Sequence, residues 1–249
     1  MDLIVDHRPG WSLLTLNRPQ VRNALNTALL GQVATVLTEL AAGPCRAVVL
    51  TGADGDFAAG ADITEIATKT SIEAANDPRK AHWAAIRAFP KPLIAAVDGF
   101  ALGGGFELAL MADFMVLGPT ARLGLTETTL GLIPGAGGGQ RLIALIGRAR
   151  ASRMVLLGEV IDAETAFNWG IAGCKSDGPA LVQAEALAAK IALRAPLALI
   201  AAKRALVAGE AALAFAAERA GFESLLDTAD KTEGIAAFFA KRKPNFRGV

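Results

Sequence analysis

The 249-residue sequence has few of the side chains from which metal and redox sites are built, with only two cysteines and two histidines. Cys45 and Cys174 are far apart and fit no metal-binding or redox spacing, so we expect two buried, reduced thiols. His7 and His82 lie near no cysteine and no cluster of acids in the sequence, which argues against a zinc site. We therefore expect a protein without a bound metal ion.

Long apolar runs and blocks of one charge are also missing. Although 53% of the residues are hydrophobic, no stretch of 18 is uninterruptedly apolar, which indicates a core and subunit interfaces rather than a membrane protein. The formal net charge is +1 with both signs spread along the chain, which argues against nucleic acid as a partner. The first ten residues carry two acids and no apolar segment typical of a signal peptide, so we expect a cytoplasmic protein.

Common catalytic motifs are absent as well. No serine lies in a G-x-S-x-G sequence, so a hydrolase nucleophile elbow is not supported, and no phosphate-binding G-x-x-x-x-G-K-[ST] occurs. The run that begins at Gly135 approaches the dinucleotide motif G-x-G-x-x-G, but Gln140 occupies the last glycine position. The remaining chemistry must therefore rest on carboxylates and backbone groups.

Short strand patterns alternate with helical patterns in the first half of the chain. The predicted strands cover residues 3–6, 11–16, 46–50, 93–97, 114–117 and 121–124. The predicted helices include 27–41, capped by Asn26 or Thr27, and about 104–112. From about residue 137 to the end, helical patterns dominate, with a break at Pro196. This order predicts an α/β core followed by a helical C-terminal region.

An acid inside an apolar helix draws attention to residues 101–113, ALGGGFELALMAD, where Glu107 follows three glycines. Glycines at the start of a helix expose N–H groups that can stabilise an oxygen as it becomes negative. Alternatively, the glycines only pack a strand tightly against the helix, and Glu107 favours the helix N-terminus. FAAGAD, residues 57–62, is a second small-residue turn that could supply another N–H. Glu127, within residues 123–142, supplies a second acid beside a further glycine-rich turn.

In order, FAAGAD, ALGGGFELAL and ETTLGLIPGAGGGQRL resemble motifs of the enoyl-CoA hydratase/isomerase (crotonase) superfamily. The resemblance covers nearly the whole chain, from NRPQVRNAL near the start to EGIAAFFAKRKPNF at residues 233–246. It implies an α/β fold, a crotonase-like spiral of ββα units with a C-terminal α-helical trimerisation region. We expect the spiral core with the active site over residues 1–193 and the oligomerisation region over 194–249, in a homotrimer or a dimer of trimers.

The resemblance also implies roles for individual residues. The superfamily binds acyl-CoA thioesters, and the two backbone N–H groups that hold the thioester oxygen correspond to Ala61 and Gly104. Its hydratases keep glutamates at the positions of Glu107 and Glu127, whereas many of its isomerases, dehalogenases, decarboxylases and hydrolases depart from this pair. The chain is therefore predicted to be an enoyl-CoA hydratase, a hydro-lyase whose two glutamates hold one water and act as base and acid.

Substrate and cofactor expectations follow from the same resemblance. Two carboxyl groups in an apolar site cannot easily both ionise, so one of the two glutamates is expected to hold a proton. No cofactor is needed, because water addition moves no electrons and coenzyme A is part of the substrate. Beyond the oxyanion residues, the predicted substrate contacts are Arg22, Ala24, Ala59, Asp62, Ile63, Thr64 and Lys241, of which Arg22 and Lys241, or Lys243, would bind the CoA phosphates.

The acyl chain is less well defined by the sequence. The stretches WAAIRAFPKPLIAAVDGFALG, RAPLALIAAKRAL and KRKPNFRG resemble the hydratases of bacterial phenylacetate degradation, which implies 2,3-dehydroadipyl-CoA as substrate. Such a substrate needs a cation or polar donor at the far end of the acyl pocket, which residues 64–82 are expected to shape. Two alternatives stay open: a Δ3–Δ2-enoyl-CoA isomerase in which Glu127 alone shuttles a proton, and a non-catalytic scaffold or RNA-binding member of the superfamily.

Overall fold

Two β-sheets organise the protein, whose computed structural model describes residues 1–207 and 222–244. The strands are β1 (Leu3–Arg8), β2 (Trp11–Leu16), β3 (Ala47–Gly52), β4 (Leu93–Val97), β5 (Phe100–Leu102), β6 (Phe114–Leu117), β7 (Arg122–Gly124), β8 (Val160–Asp162) and β9 (Cys174–Lys175). The larger sheet has the order β1-β2-β3-β4-β6-β9 and is parallel except for β1, and the smaller has the order β5-β7-β8.

Helices cover both faces of the larger sheet. They are α1 (Thr27–Ala42), α2 (Ile63–Ile66), α3 (Ser71–Ala75), α4 (Arg79–Arg87), α5 (Gly104–Ala109), α6 (Gly138–Leu157), α7 (Ala163–Trp169), α8 (Ala180–Ala192), α9 (Pro196–Val207) and α10 (Ala229–Phe239). The central strands β3 and β4 are buried almost throughout, because helices cover both faces of the sheet. Parallel strands in this position have continuous apolar sequences, as these two do. On one face, α8 packs through alanines spaced four residues apart, from Ala180 to Ala192.

The larger predicted elements are confirmed. The strands predicted at 3–6, 11–16, 46–50, 93–97, 114–117 and 121–124 correspond to β1, β2, β3, β4, β6 and β7 within one or two residues at most ends. The side chain of Asn26 caps α1 by accepting a hydrogen bond from the backbone N–H of Leu29 at 2.8 Å. The break predicted at Pro196 is also confirmed, because this proline begins α9 after α8 has ended.

Three predictions need correction. The helix predicted over about 104–112 ends at Ala109, and the chain then turns so that the Asp113 side chain accepts a hydrogen bond from the N–H of Leu93. The region after residue 137 also contains β8 and β9, which were missed because strands of two or three residues carry no readable periodicity. Cys45 is buried as expected, but Cys174 is half-buried, because it lies on the edge strand β9.

The proposed division after residue 193 stays a prediction. It falls between α8 and α9, and residues 208–221 and 245–249 of the predicted oligomerisation region lie outside the described residues. Within residues 1–207 and 222–244, no helix combines the length and the apolar character needed to cross a bilayer.

Candidate active site

The two small-residue turns identified in the sequence lie side by side. Ala58 pairs with Ala101 of β5 in a parallel bridge: the Ala58 N–H donates to Phe100 O at 2.9 Å, and Ala58 O accepts from the Leu102 N–H at 3.0 Å. Past this bridge, a Cβ built on Gly104 would lie 3.5 Å from the backbone nitrogen of Ala61. The backbone at Ala61 and at Gly104 is therefore brought together, although the two are 43 positions apart in the sequence.

At this point, the backbone N–H groups of Ala61 and Gly104 face away from the regular hydrogen bonds of their own segments. Gly60 O and the Asp62 N–H both bond to Leu25, so the N–H of the residue between them, Ala61, points to the opposite side of the chain. Gly104 begins α5, and the N–H groups of a first helical turn have no intrahelical acceptor. Before it, Gly103 has φ +48° and ψ −127°, a conformation that glycine adopts without the Cβ penalty.

Glu107 is held by backbone groups rather than surrounded only by apolar side chains. Its residue is 4% exposed, and Oε1 accepts hydrogen bonds from the N–H groups of Ala136 at 2.7 Å and Gly138 at 3.0 Å. The N–H of Gly135 lies 3.4 Å from Oε2. Glu107 therefore has polar neighbours in addition to the apolar ones expected from the sequence, because the glycine-rich turn before α6 directs its N–H groups at the carboxylate. The sequence of this turn approaches a dinucleotide-binding motif, but its N–H groups bind a carboxylate of the protein itself.

Glu127 approaches the same region from the other side. It begins a short 3₁₀ helix, Glu127–Leu130, three residues after the end of β7 at Gly124. The Gly103 N–H donates to Gly124 O at 2.8 Å, which ties the start of α5 to the end of β7. A Cβ built on Gly103 would lie 3.1 Å from Oε1 of Glu127, so glycine at this position leaves room for the carboxylate.

One cavity of about 190 Å³ joins these groups. Both predicted catalytic acids, Glu107 and Glu127, line it, and so do both predicted backbone donors, Ala61 and Gly104. Of the other predicted substrate contacts, Ala59 and Ile63 line the cavity, whereas Arg22, Ala24, Asp62, Thr64 and Lys241 lie outside its wall. The cavity wall therefore contains both predicted acids and both predicted donor residues, and their roles in catalysis stay a prediction.

The residues outside the cavity have other contacts. Asp62 receives a 3.0 Å hydrogen bond from Nη1 of Arg18, and it caps α2 through Thr64. Burial opposes ionisation of Asp62, but the hydrogen bonds from Thr64 and Arg18 hold its pKa below the ordinary value. The Arg22 guanidinium is largely exposed and lies over the Phe100 ring at 5.1 Å, and Lys241 is exposed at the end of α10. Both cations are thus available to a ligand at the surface.

Sequence reasoning missed three charged residues in the cavity wall, Lys69, Asp77 and Arg79. They come from residues 64–82, the segment expected to shape the acyl pocket, but no motif distinguishes them from ordinary surface charges. Burial opposes ionisation of Asp77, yet hydrogen bonds from Lys69 and from the Arg79 N–H hold its pKa below the ordinary value. The apolar part of this wall includes Ile66, Trp83 and, from the C-terminal part of the chain, Phe222, Leu226 and Phe238.

Among the residues that the structure describes, metal-binding groups do not assemble near this cavity. Across the described ranges, no three His, Cys, Asp or Glu side chains cluster as the ligands of a metal ion would. His7 is exposed and bonds to Ser12, and His82 is half-buried against Gly31, as ordinary histidines do.

Comparison with known proteins gives the family. The family model described as enoyl-CoA hydratase/isomerase matches residues 8–249. The chain is 49% identical to the 2,3-dehydroadipyl-CoA hydratase of Escherichia coli K12, over 99% of both chains. It is 41% identical to a Rhizobium meliloti protein named "Probable enoyl-CoA hydratase", over 98% of this chain and 97% of the relative.

Solved structures agree with the sequence relatives. The structure of carnitinyl-CoA hydratase from Mycobacterium avium superposes with a TM-score of 0.90 at 36% identity, over 100% of this chain and 99% of the other. The predicted crotonase fold and the prediction of an enoyl-CoA hydratase, a hydro-lyase, are confirmed by these comparisons. Matched over nearly its whole length, the chain belongs to the enoyl-CoA hydratase/isomerase family.

Proposed function

We propose that the protein adds water across the C2=C3 bond of a trans-2-enoyl-CoA to give a 3-hydroxyacyl-CoA. The observation that carries this proposal is the shared cavity, whose wall contains Glu107, Glu127, Ala61 and Gly104. An oxyanion hole needs two donors aimed at one oxygen, and hydration needs one group to take a proton from water and another to give one to carbon. The cavity offers both sets of groups within about 190 Å³.

In this scheme, the thioester oxygen lies against the N–H groups of Ala61 and Gly104. As the water oxygen bonds to C3, electrons move from the double bond toward the carbonyl, and the two amides stabilise the negative oxygen. Glu107 and Glu127 hold the water: the ionised member takes its proton, and the protonated member delivers one to C2. The products are the 3-hydroxyacyl thioester and a glutamate pair whose proton has changed sides, so atoms and charge balance without a metal or redox cofactor.

The acyl group that we propose is the 2,3-dehydroadipyl group, a six-carbon chain that ends in a carboxylate. The resemblance to the phenylacetate-pathway hydratases and the 49% identity to a relative that bears this substrate's name support it. Ala59, Ala61 and Gly104 would contact the thioester, and Asp62, Ile63 and Thr64 would line the path of the pantetheine. Arg22, Ala24 and Lys241 would form the outer part of the CoA site, where Arg22 and Lys241 would bind the phosphates.

We further propose a homotrimer or a dimer of trimers in the cytoplasm, with residues 194–249 as the oligomerisation region. Exposed apolar side chains on and near the C-terminal helices support this assembly, since they would be buried between subunits: they are Leu193, Leu197, Leu206, Phe238 and Phe239. Sedimentation at several protein concentrations tests the assembly separately from the activity.

A panel of CoA thioesters tests the reaction. Loss of enoyl absorbance with crotonyl-CoA and with 2,3-dehydroadipyl-CoA is expected, whereas isomerisation of a 3-enoyl-CoA is expected to be slower. Faster isomerisation than hydration would favour the isomerase. No turnover on any member, together with retention of RNA on a filter, would favour the scaffold or RNA-binding alternative.

A further inference from the structure

Lys231, the third residue of α10, is buried although its side chain carries a charge. The residue is 5% exposed, and an ammonium group is costly to bury unless it has hydrogen-bond acceptors. Its Nζ donates to the carbonyl oxygen of Ala67 at 3.3 Å and to that of Lys69 at 3.5 Å. Carbonyl groups at the end of a helix have no intrahelical donor, and these two follow α2. The side chain thereby joins the C-terminal helix to the segment between α2 and α3.

The segment that Lys231 holds forms part of the cavity wall. Ile66 and Lys69, which lie on either side of Ala67 in the sequence, both line the cavity. Ile66 also packs in an apolar cluster with Leu226 from the C-terminal part of the chain, and Leu226 lines the cavity as well. Two distant parts of the chain therefore build this wall, and Lys231 supplies a polar contact between them.

The backbone of Lys231 lies against the end of the 3₁₀ helix that begins at Glu127. A Cβ built on Gly131, the residue after this helix, would lie 2.6 Å from the backbone nitrogen of Lys231. The contact is reciprocal, because a Cβ built on Gly234 of α10 would lie 2.6 Å from the carbonyl oxygen of Leu130. Glycine at both positions lets the two backbones touch, so the Lys231 side chain extends from a fixed point beside the helix that carries Glu127.

Asp227 makes a second attachment between the same two segments. Its Oδ1 accepts a 2.8 Å hydrogen bond from the backbone N–H of Ser71, the first residue of α3. This hydrogen bond holds the pKa of Asp227 below its ordinary value, and the nearby Lys231 ammonium acts in the same direction. Residues 67–71 are therefore attached to the C-terminal part of the chain at both ends.

From these contacts we infer that Lys231, assisted by Asp227, is a positioning residue that holds residues 67–71 in place as an acyl-binding wall. It thereby determines how strongly the protein favours six-carbon over two-carbon acyl groups. The inference rests on the proposed function for its placement of the acyl chain in this cavity. A wall that is ordered before binding needs no further ordering when the chain enters. Without the ammonium, the carbonyl groups of Ala67 and Lys69 lose their donor, and acyl binding must then order this part of the wall.

Calorimetry with saturated thioesters tests the inference, because these compounds bind but cannot be hydrated. Hexanoyl-CoA and adipyl-CoA carry six-carbon acyl groups with different ends, and the tighter-binding of the two is compared with acetyl-CoA. The unmodified protein should bind the six-carbon thioester at least about 10-fold more tightly, since each buried methylene adds to the affinity. In Lys231→Met, which removes the charge and keeps most of the side-chain length, this affinity should fall about 10-fold, whereas that for acetyl-CoA should stay within about 2-fold.

Lys190→Met, the same change at an exposed lysine of α8 outside the cavity, is the matched control and should leave every affinity unchanged. Asp227→Ala, at an exposed position, should lower the six-carbon affinity about 3-fold, and it carries the test if circular dichroism shows that Lys231→Met does not fold. An unchanged six-carbon preference in the folded variant, or an equal loss for acetyl-CoA, would overturn the inference, because a purely structural role affects both probes alike. A preference that depends on Lys231 without hydration of any enoyl thioester would instead contradict the proposed function alone.

Discussion

Oε1 of Glu107 accepts a 2.7 Å hydrogen bond from the backbone N–H of Ala136, a residue 29 positions further along the chain. Gly138 donates to the same oxygen at 3.0 Å, and a Cβ on Gly138 would lie 2.8 Å from Cγ of Glu107. The glycine-rich turn thus fixes the carboxylate by both hydrogen bonds and close contact. Such a fixed acid is preorganised, so its orientation toward a substrate water costs little at the moment of reaction.

Replacement of Glu107 by glutamine should abolish most hydration while the thioester still binds. The amide oxygen can accept from Ala136 and Gly138 as the carboxylate does, but it cannot exchange a proton, so the rate should fall about 10²- to 10⁴-fold. The absorbance of crotonyl-CoA measures the rate, and calorimetry with adipyl-CoA measures binding. Glu39→Gln, the same change on an exposed residue of α1, is the control. Near-normal turnover in Glu107→Gln would refute its role.

Replacement of Glu127 by glutamine should cause a loss of similar size, and the double variant should be little slower than the slower single variant. Two acids that act on one water form a unit, so their losses do not add. Steady-state rates of hydration are measured for the unmodified protein, the two single variants and the double variant, which together form a double-mutant cycle. If 3-enoyl isomerisation were faster than hydration, and if it survived in Glu107→Gln but not in Glu127→Gln, the isomerase with a single acid would be the better description.

Substitution by alanine should have different effects at Gly104 and Gly105, two neighbouring residues of α5. In Gly104→Ala, the new Cβ would meet the Ala61 nitrogen at 3.5 Å, which is an ordinary contact, so the protein should fold normally. The methyl group would nevertheless occupy space beside the proposed oxyanion donors, and kcat/KM should fall on the order of 10²-fold.

Gly105→Ala is the companion variant. Its Cβ would lie 2.1 Å from the backbone oxygen of Ala58, so the bridge between the two turns must shift. The expected result is a loss of stability of about 1 to 3 kcal/mol, as in other overpacked sites. Thermal unfolding of both variants separates the effects: a lower Tm in Gly104→Ala than in Gly105→Ala would contradict the geometry on which this pair of predictions rests.

Local sequence signals predicted much of the fold and part of the site. Asn26 caps α1 because a cap is a local interaction, and the glycines at 103–105 indicated backbone exposed at a helix start. The contact of Glu107 with the turn before α6 could not be read from either segment, because it depends on how distant parts of the chain pack. Arg79 is similar: one arginine among several charges gives no sign of burial until α4 is placed against the cavity.

Replacement of Asp62 by asparagine should lower stability at neutral pH by about 1 kcal/mol, because it removes a part-buried ionic hydrogen bond from Arg18. Asparagine is also a good N-cap, so the cap of α2 through Thr64 should persist. Since folding lowers the pKa of Asp62, its contribution is present above the ordinary value of 3.8 and is lost as the pH falls through the folded-state pKa.

Urea unfolding of the Asp62→Asn variant and the unmodified protein between pH 7 and pH 3 measures this dependence. The difference in the free energy of unfolding should be largest at neutral pH and should shrink toward the acid end, because the unmodified side chain becomes neutral there as well. A constant difference would mean that the carboxylate charge is not the source of the stability. Adipyl-CoA affinity, measured on the same samples, tests the prediction that Asp62 lines the pantetheine path: unchanged affinity would restrict this residue to its contacts with Arg18 and Thr64.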